Sequence, residues 1–175
     1  VKRLRASGVD APLLLLRLPC LSEVADVVRH TQYSVNSEAK TIFALSKAAT
    51  EIGTRHGVLI SVDTGDRREG VLPRDAAELC RLVLDLPGLD LAGVGTCLSC
   101  LCGVVPTSEK HEEFAELAEW LEDELDLSLP MVSFGHTVDL PVVMRDSVPT
   151  AFNQIRIGGA LLVGNDNMVG YHIPN

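Results

Sequence analysis

Polar side chains that can bind ligands or transfer protons follow each of six short apolar runs in this chain. They are Arg17, Asn36, Asp63-Thr64-Gly65, Thr96-Cys97, Gly135-His136-Thr137 and Arg156. In parallel α/β folds the carboxyl ends of the strands meet at one edge, and ligands bind there. Each of these residues alone is also consistent with a cap or a turn. Six of them in corresponding positions favour a common ligand site.

The segment Arg156-Ile157-Gly158-Gly159 has the composition of a phosphate-binding turn. A cation at the end of a predicted strand is followed by two glycines, which let backbone N–H groups approach an anion closely. A helix that begins there adds the positive end of its dipole. Thr137, one strand earlier, supplies a hydroxyl. Together these residues predict a site for a single phosphate between the last two strands.

The elements that position these residues alternate between short apolar runs and longer segments of helical period. The predicted strands are 13–16, 33–35, 58–62, 91–94, 131–133 and 152–155. Helices are predicted at 2–6, at 22–30 with Ser22 as N-cap, at 37–52, after Pro73 and after the cap Thr107. An apolar segment, 138–144, is the weakest helix prediction because it contains Pro141. This alternation is typical of a parallel α/β fold.

Two architectures fit six such units in 175 residues. One is a (β/α)8 TIM-type barrel truncated at its N-terminus to about six βα units, since eight units usually need about 250 residues. The other is a complete doubly wound open sheet. The pattern alone does not separate them. Either way, we expect a single domain over residues 1–175.

Charge and composition narrow the function. The chain carries 15 Lys and Arg against 24 Asp and Glu, a formal net charge of −9, which argues against a nucleic-acid partner. We expect no membrane span, because no apolar run approaches the length of about 20 residues that a bilayer requires. Five cysteines, an odd number, argue against a disulfide framework, and the reducing cytoplasm is the expected location.

Several blocks resemble the pyridoxal-phosphate (PLP) amino-acid racemases that contain the alanine racemase N-terminal barrel, particularly the ornithine racemase-like branch. The blocks are 15–19, 21–24, 62–70, 93–107 and 153–158. They occur in the family's order and spacing, and the resemblance runs from about residue 2 to residue 166. It implies a (β/α)8 barrel, PLP as cofactor, and racemisation of ornithine or another basic or small amino acid. It also implies a homodimer.

The resemblance also implies roles for individual residues. Arg156 would lie beside the pyridine nitrogen, where a fixed cation makes the ring a weaker electron sink. The remaining cofactor residues would be Gly158, Gly159, Thr137, His136 and Thr96. The substrate residues would be Arg68, Arg17 and Asn36. Racemisation needs a base on each face of the α-carbon, and the candidates here for the second base are Cys97 and Cys100.

This chain departs from the family pattern in two places. The family's phosphate motif reads G-G-N-S-S, whereas residues 134–138 read F-G-H-T-V, so Val138 replaces the second hydroxyl. The family's Schiff-base lysine lies on the first barrel strand, upstream of this sequence. The lysines present are all predicted on helices, away from the strand ends: Lys2, Lys40, Lys47 and Lys110.

Three other interpretations remain open at this point. Cys97, Cys100 and Cys102 with His111 could bind a metal, although no second C-x-x-C pair completes a zinc site. The Asp63-Thr64-Gly65 segment resembles the active-site loop of aspartic proteases, which are all-β. The altered phosphate motif is also consistent with a PLP-binding protein that does not turn over amino acids, or with an inactive racemase remnant.

Overall fold

Six parallel strands form one sheet, in the same order as in the chain, in a computed structural model that describes residues 1–99, 103–145 and 148–164. The strands are β1 (Leu14–Leu15), β2 (Tyr33–Asn36), β3 (His56–Val62), β4 (Leu89–Thr96), β5 (Met131–Phe134) and β6 (Gln154–Ile155). Every neighbouring pair is parallel. A doubly wound sheet would reverse its strand order at a switch point. The open-sheet alternative is therefore wrong, and the arrangement is that of a partial (β/α) barrel.

Seven helices occur within the described residues. They are α1 (Lys2–Ala6), α2 (Val24–His30), α3 (Ala39–Ile52), α4 (Ala76–Asp85), α5 (Ser108–Leu125), α6 (Leu140–Arg145) and α7 (Gly159–Val163). Short 3-10 turns lead into three of them, at Leu21–Glu23, Pro73–Asp75 and Thr137–Asp139. In the described parts of the chain, none of these helices is both long and apolar enough to cross a membrane.

The structure confirms the predicted helix cap at Thr107 and contradicts the one at Ser22. Thr107 caps α5 as predicted, because its hydroxyl accepts a hydrogen bond from the Lys110 N–H at 3.3 Å. The predicted cap at Ser22 is wrong: Ser22 lies inside the 3-10 turn, and the Cys20 N–H there donates to Glu23. Pro141 does not prevent α6, since it is the second residue of that helix, where an N–H has no partner within the helix.

The two faces of the sheet have different surroundings. Val58, Ile60 and Val62 of β3 belong to the buried core between the sheet and the helices. Successive side chains of a strand point to opposite faces, so Leu59 and Ser61 point to the other side, which is the barrel interior. Ser61 accordingly lines the cavity at the carboxyl edge of the sheet. Strand alternation thus decides which residues reach the candidate site.

Candidate active site

A cavity of about 550 Å³ opens at the carboxyl ends of the strands, within the size range of small-molecule sites. Eight of the predicted site residues line it: Arg17, Arg68, Cys97, His136, Thr137, Arg156, Gly158 and Gly159. Thr96 and Asn36 are not among its lining residues, and Cys100 lies outside the described residues. The sequence therefore predicted eight of the fifteen residues that line the cavity.

The Arg156 guanidinium is held by a backbone carbonyl at the carboxyl ends of the strands. Its Nη2 donates to the carbonyl oxygen of Thr96, the last residue of β4. Gly95 leaves room for the guanidinium, because a Cβ at that position would lie 2.9 Å from Nη1 of Arg156. Burial lowers the pKa of Arg156, and electrostatic interactions with Cys97, Glu69 and Asp139 act in the opposite direction. A guanidinium remains protonated in proteins, so the site contains a fixed cation.

Thr96 does not line the cavity, but its hydroxyl bonds to groups at the carboxyl end of β3. Its hydroxyl donates to the Val62 carbonyl at 2.9 Å and lies 2.6 Å from Oγ1 of Thr64. These bonds join the carboxyl ends of β3 and β4. They also fix the backbone whose carbonyl receives Arg156.

A hydrogen bond joins the segment after β5 to the segment after β6, as expected for a phosphate site shared by the last two strands. The Ala160 N–H donates to Oγ1 of the buried Thr137 at 3.1 Å, which places Thr137 beside the start of α7. A Cβ added to Gly158 would meet no atom within 4 Å, so the space beside it is open. Val138 lines the same cavity in place of a second hydroxyl.

Two further arginines stand at the rim of the cavity with acidic partners. Arg68 donates from Nε to the buried Asp66 carboxylate at 3.0 Å, and its Nη2 lies 3.5 Å from Glu69. Arg17 is exposed and hydrogen-bonded to Glu23, and this bond lowers the pKa of Glu23 to about 2. Both arginines line the cavity and are about half exposed.

Cys97 and His136 form a pair that sequence reasoning missed. Sγ of Cys97 lies 2.9 Å from Nε2 of His136, and both residues line the cavity. Behind them, Asp139 accepts hydrogen bonds from the His136 N–H and from His111 Nε2, each at 2.8 Å. Desolvation raises the pKa of Asp139, but the hydrogen bonds of the two histidines outweigh it, and the net pKa is lowered.

Asn36 lies on the other side of the sheet from the cavity. It pairs in register with Ile60, whose side chain belongs to the helix-facing core, and its amide donates to the carbonyl and hydroxyl of Ser34. Parallel partners point to the same face. The structure therefore does not bring Asn36 together with the other predicted substrate residues, Arg17 and Arg68.

A family model for the alanine racemase N-terminal domain matches residues 1–166. The chain belongs to this family. Family members use PLP, as the resemblance implied. The predicted family and fold class are thus confirmed.

Two curated relatives in this family are racemases of basic amino acids. The ornithine racemase of Acetoanaerobium sticklandii is 34% identical over 161 residues, covering 91% of this chain and 46% of that protein. The lysine racemase of Thermotoga maritima is 32% identical over 166 residues, covering 95% of this chain and 46% of that protein. The chain thus spans about half the length of the curated relatives it matches.

Solved structures of low sequence identity share the fold. An alanine racemase from Clostridium difficile 630 superimposes with a TM-score of 0.74 at 18% identity, covering 90% of this chain and 41% of that one. PipY of Synechococcus elongatus, solved with PLP bound, gives a TM-score of 0.73 at 19% identity, covering 91% of this chain and 74% of that one. Both likenesses establish the alanine racemase barrel as the fold.

The residues of this family member fit the phosphate and ring of PLP. Thr137, Gly158 and Gly159 line one end of the cavity, and the Arg156 cation lies at the strand ends beside them. The covalent anchor has no counterpart among the chain's four lysines, which lie on α1, α3 and α5 as predicted. This cavity therefore offers non-covalent contacts that suit the phosphate and ring of PLP.

The metal and protease interpretations gain no support from the fold. Oδ1 of Asp63 accepts the N–H groups of Gly65 and Arg67, so this carboxylate closes a local turn in an α/β protein rather than an all-β one. Residues 1–99, 103–145 and 148–164 contain no group of three metal-ligating side chains. His111 is bonded to Asp139, and Cys100 and Cys102 lie outside the described residues.

Proposed function

We propose that this protein is a PLP-dependent amino-acid racemase that acts on a basic amino acid such as ornithine. The observation that carries the proposal is the position of Arg156. Its guanidinium is bound to the Thr96 carbonyl at the carboxyl edge of the barrel, next to Thr137, Gly158 and Gly159. A cation and a phosphate-binding turn in one cavity match the two polar ends of PLP.

The chain's own residues would bind and tune the cofactor. Thr137, Gly158 and Gly159 would hold its phosphate by a hydroxyl and backbone N–H groups. Arg156 would remain charged beside the ring nitrogen and oppose its protonation. When bound, PLP withdraws electrons from the substrate α-carbon and makes its C–H acidic. A weaker electron sink favours return of a proton to that carbon over loss of the carboxylate.

The rim of the cavity supports a basic substrate. Arg68 and Arg17 would bind the substrate carboxylate, and Glu69, which also lines the cavity, would receive a side-chain ammonium. The ornithine and lysine racemases among the relatives support the same choice. The substrate role of Asn36 stays a prediction that this geometry does not favour.

The proposal is tested by chiral chromatography of single enantiomers incubated with the full-length gene product and PLP. We expect L-ornithine or L-lysine to give its D enantiomer, and Arg156→Ala to lower that rate by at least about 100-fold. Arg145→Ala, which removes an exposed arginine of α6 outside the cavity lining, is the matched control and should retain the rate.

A protein that retains PLP but leaves every amino acid in its original configuration would overturn the racemase proposal. That result would favour a PLP-binding protein without turnover, the alternative raised by the altered phosphate motif. Arg156→Ala would still weaken PLP retention in that case. The two functions are therefore separated by turnover and not by cofactor binding.

The same proposal includes a cytoplasmic homodimer, as the family resemblance implies. Light scattering of the full-length protein during size-exclusion chromatography measures its mass directly. A mass of one subunit at micromolar concentration would contradict the dimer without affecting the PLP site described above.

A further inference from the structure

Four polar residues lie in a row from the cavity into the core, with the backbone N–H of His136 making the hydrogen bond to Asp139. Cys97 and His136 line the cavity with Sγ and Nε2 2.9 Å apart. Asp139 lies behind them, with Oδ2 2.8 Å from the His136 N–H and 3.5 Å from its Nδ1. His111, fully behind the cavity, holds the other carboxylate oxygen at 2.8 Å. The order is thiol, imidazole, carboxylate, imidazole.

Burying these ionisable groups is energetically unfavourable unless their charges are paired or hydrogen-bonded. Asp139 is completely buried and His111 is 2% exposed. A buried carboxylate without cationic or hydrogen-bonding partners is strongly unfavourable. Here the carboxylate places a negative charge 3.5 Å from Nδ1 of His136, and the other ring nitrogen, Nε2, lies 2.9 Å from Sγ of Cys97.

Cys97 has two basic neighbours. Nε2 of His136 lies 2.9 Å from its Sγ, and the charge of Arg156 interacts with it electrostatically. Cysteines beside cationic groups carry more thiolate and react as bases and nucleophiles. The other two described cysteines differ: Cys20 is exposed, and Cys80 is buried in the core, where burial raises its pKa to about 12.

We propose that Cys97 and His136 form an acid–base pair of this site, with Asp139 and His111 as positioning residues that fix the His136 ring. The reaction that this pair serves rests on the proposed racemase function. His136 replaces the asparagine of the family's G-G-N-S-S motif, so the pair is a feature of this chain rather than one carried over from the motif.

The proton balance of the pair is simple. The Cys97 thiol gives its proton to the substrate α-carbon and becomes a thiolate, while the base on the opposite face has taken the original α-proton. For the next forward turnover, His136 receives a proton from solvent at the cavity and passes it to the thiolate through Nε2, while the opposite base releases the proton that it took to solvent, so that no net proton is gained. In the reverse direction the thiolate takes the α-proton, and the opposite base supplies the new one.

The first test measures thiol reactivity without cofactor or substrate. Cofactor-free protein is alkylated with iodoacetamide at pH 7, and each cysteine is followed by peptide mass spectrometry. We expect His136→Gln to slow the alkylation of Cys97 by at least about 10-fold, since the thiolate loses its partner. Cys20 and Cys80 are internal controls whose rates should not change.

Variants behind the pair test the positioning residues. Asp139→Asn should also slow alkylation of Cys97, because Nδ1 of His136 loses its negative partner. His111→Gln retains a donor toward Asp139 and should leave the Cys97 rate within about twofold of the original protein. Should Asp139→Asn fail to fold, the His136→Gln result alone decides. An unchanged Cys97 rate in folded His136→Gln would overturn the pair.

The second test places the pair in the reaction. In deuterium oxide, Cys97→Ala should lose conversion between enantiomers by at least about 100-fold. The variant should still exchange the α-hydrogen for deuterium in the one enantiomer whose α-proton is taken by the base on the opposite face. Unchanged racemisation by Cys97→Ala would overturn the pair while the racemase proposal stands. Absence of racemisation by the original protein would instead overturn the racemase proposal, with the thiol reactivity unaffected.

Discussion

Two histidines at opposite ends of the barrel strands, the buried His56 and the partly exposed His136, have partners of different chemistry. His56 is the first residue of β3, and its Nε2 lies 2.8 Å from the neutral hydroxyl of Ser34. Burial lowers the pKa of His56 to about 4, so it stays neutral and only supports the fold. His136 follows β5 at the opposite end, between a thiol and a carboxylate.

In this barrel, residues that stabilise the fold and residues of the candidate site lie at opposite ends of the strands. At the amino ends, His56 contacts the neutral hydroxyl of Ser34 inside the helix-facing layer, and Arg55 pairs with Asp90 at the surface. At the carboxyl ends, the Arg156 cation and the Cys97–His136 pair are held at the cavity by contacts between different loops. This is the division expected of (β/α) barrels, whose carboxyl face carries the function. Each prediction below tests whether a given residue belongs to the scaffold or to the site.

The largest expected effect is on the scaffold, at Gly93. Its φ is +143°, and an added Cβ would lie 1.8 Å from the Met131 carbonyl oxygen in the paired strand. Gly93→Ala should lower the free energy of unfolding by about 4 kcal/mol, since β4 and β5 must separate locally. Urea denaturation measures this value. Gly158→Ala, which meets no atom, is the control and should change stability by less than about 0.5 kcal/mol.

The next effect is a pH dependence of stability that comes from the amino end. The pKa of His56 is lowered from 6.5 to about 4 in the folded protein, so between these values the unfolded chain binds more protons. The contribution of His56 to the free energy of unfolding should therefore be complete above pH 6.5 and fall by about 3 kcal/mol as the pH drops to 4. The difference between the original protein and His56→Gln isolates this contribution. Parallel stability curves for the two proteins would refute it.

A smaller effect is expected where the scaffold meets the site, at Gly95. A Cβ there would lie 2.9 Å from Arg156 Nη1 and 3.2 Å from Leu59 Cδ2, so the guanidinium must move. Gly95→Ala should cost about 2 kcal/mol of stability and weaken PLP binding about 10-fold. Denaturation and a PLP titration measure the two effects separately. Reduced stability with unchanged PLP affinity would show that Arg156 does not contact the cofactor.

The sequence predicted the fold well because its signals are local. Six apolar runs and their helices are visible as periodicity, and Thr107 and Pro73 begin their helices as expected. The clustering of Thr137, Gly158 and Gly159 at one cavity was also predictable, since the strand ends of a parallel sheet converge. Asn36 shows the limit: a shift of one residue along a strand moves a side chain to the opposite face.

Long-range side-chain pairs were not predictable from the sequence. Cys97 and His136 are 39 residues apart, and nothing in their spacing shows that their loops bring Sγ to Nε2. His111 was noted as a possible metal ligand, but its partner is Asp139, 28 residues later. Such contacts depend on the exact path of two loops over the barrel edge. Only the three-dimensional arrangement shows them.

The smallest expected effect links the scaffold to the site through the cap of α5. The Thr107 hydroxyl accepts the Lys110 N–H and so fixes the first turn, from which His111 reaches Asp139. Thr107→Ala should lower stability by about 1 kcal/mol, whereas Thr107→Ser keeps the hydroxyl and should differ little from the original protein. If His111 positions the acid–base pair, Thr107→Ala should also slow Cys97 alkylation measurably, and Thr107→Ser should not. A loss of stability without any change at Cys97 would assign α5 and His111 to the scaffold alone.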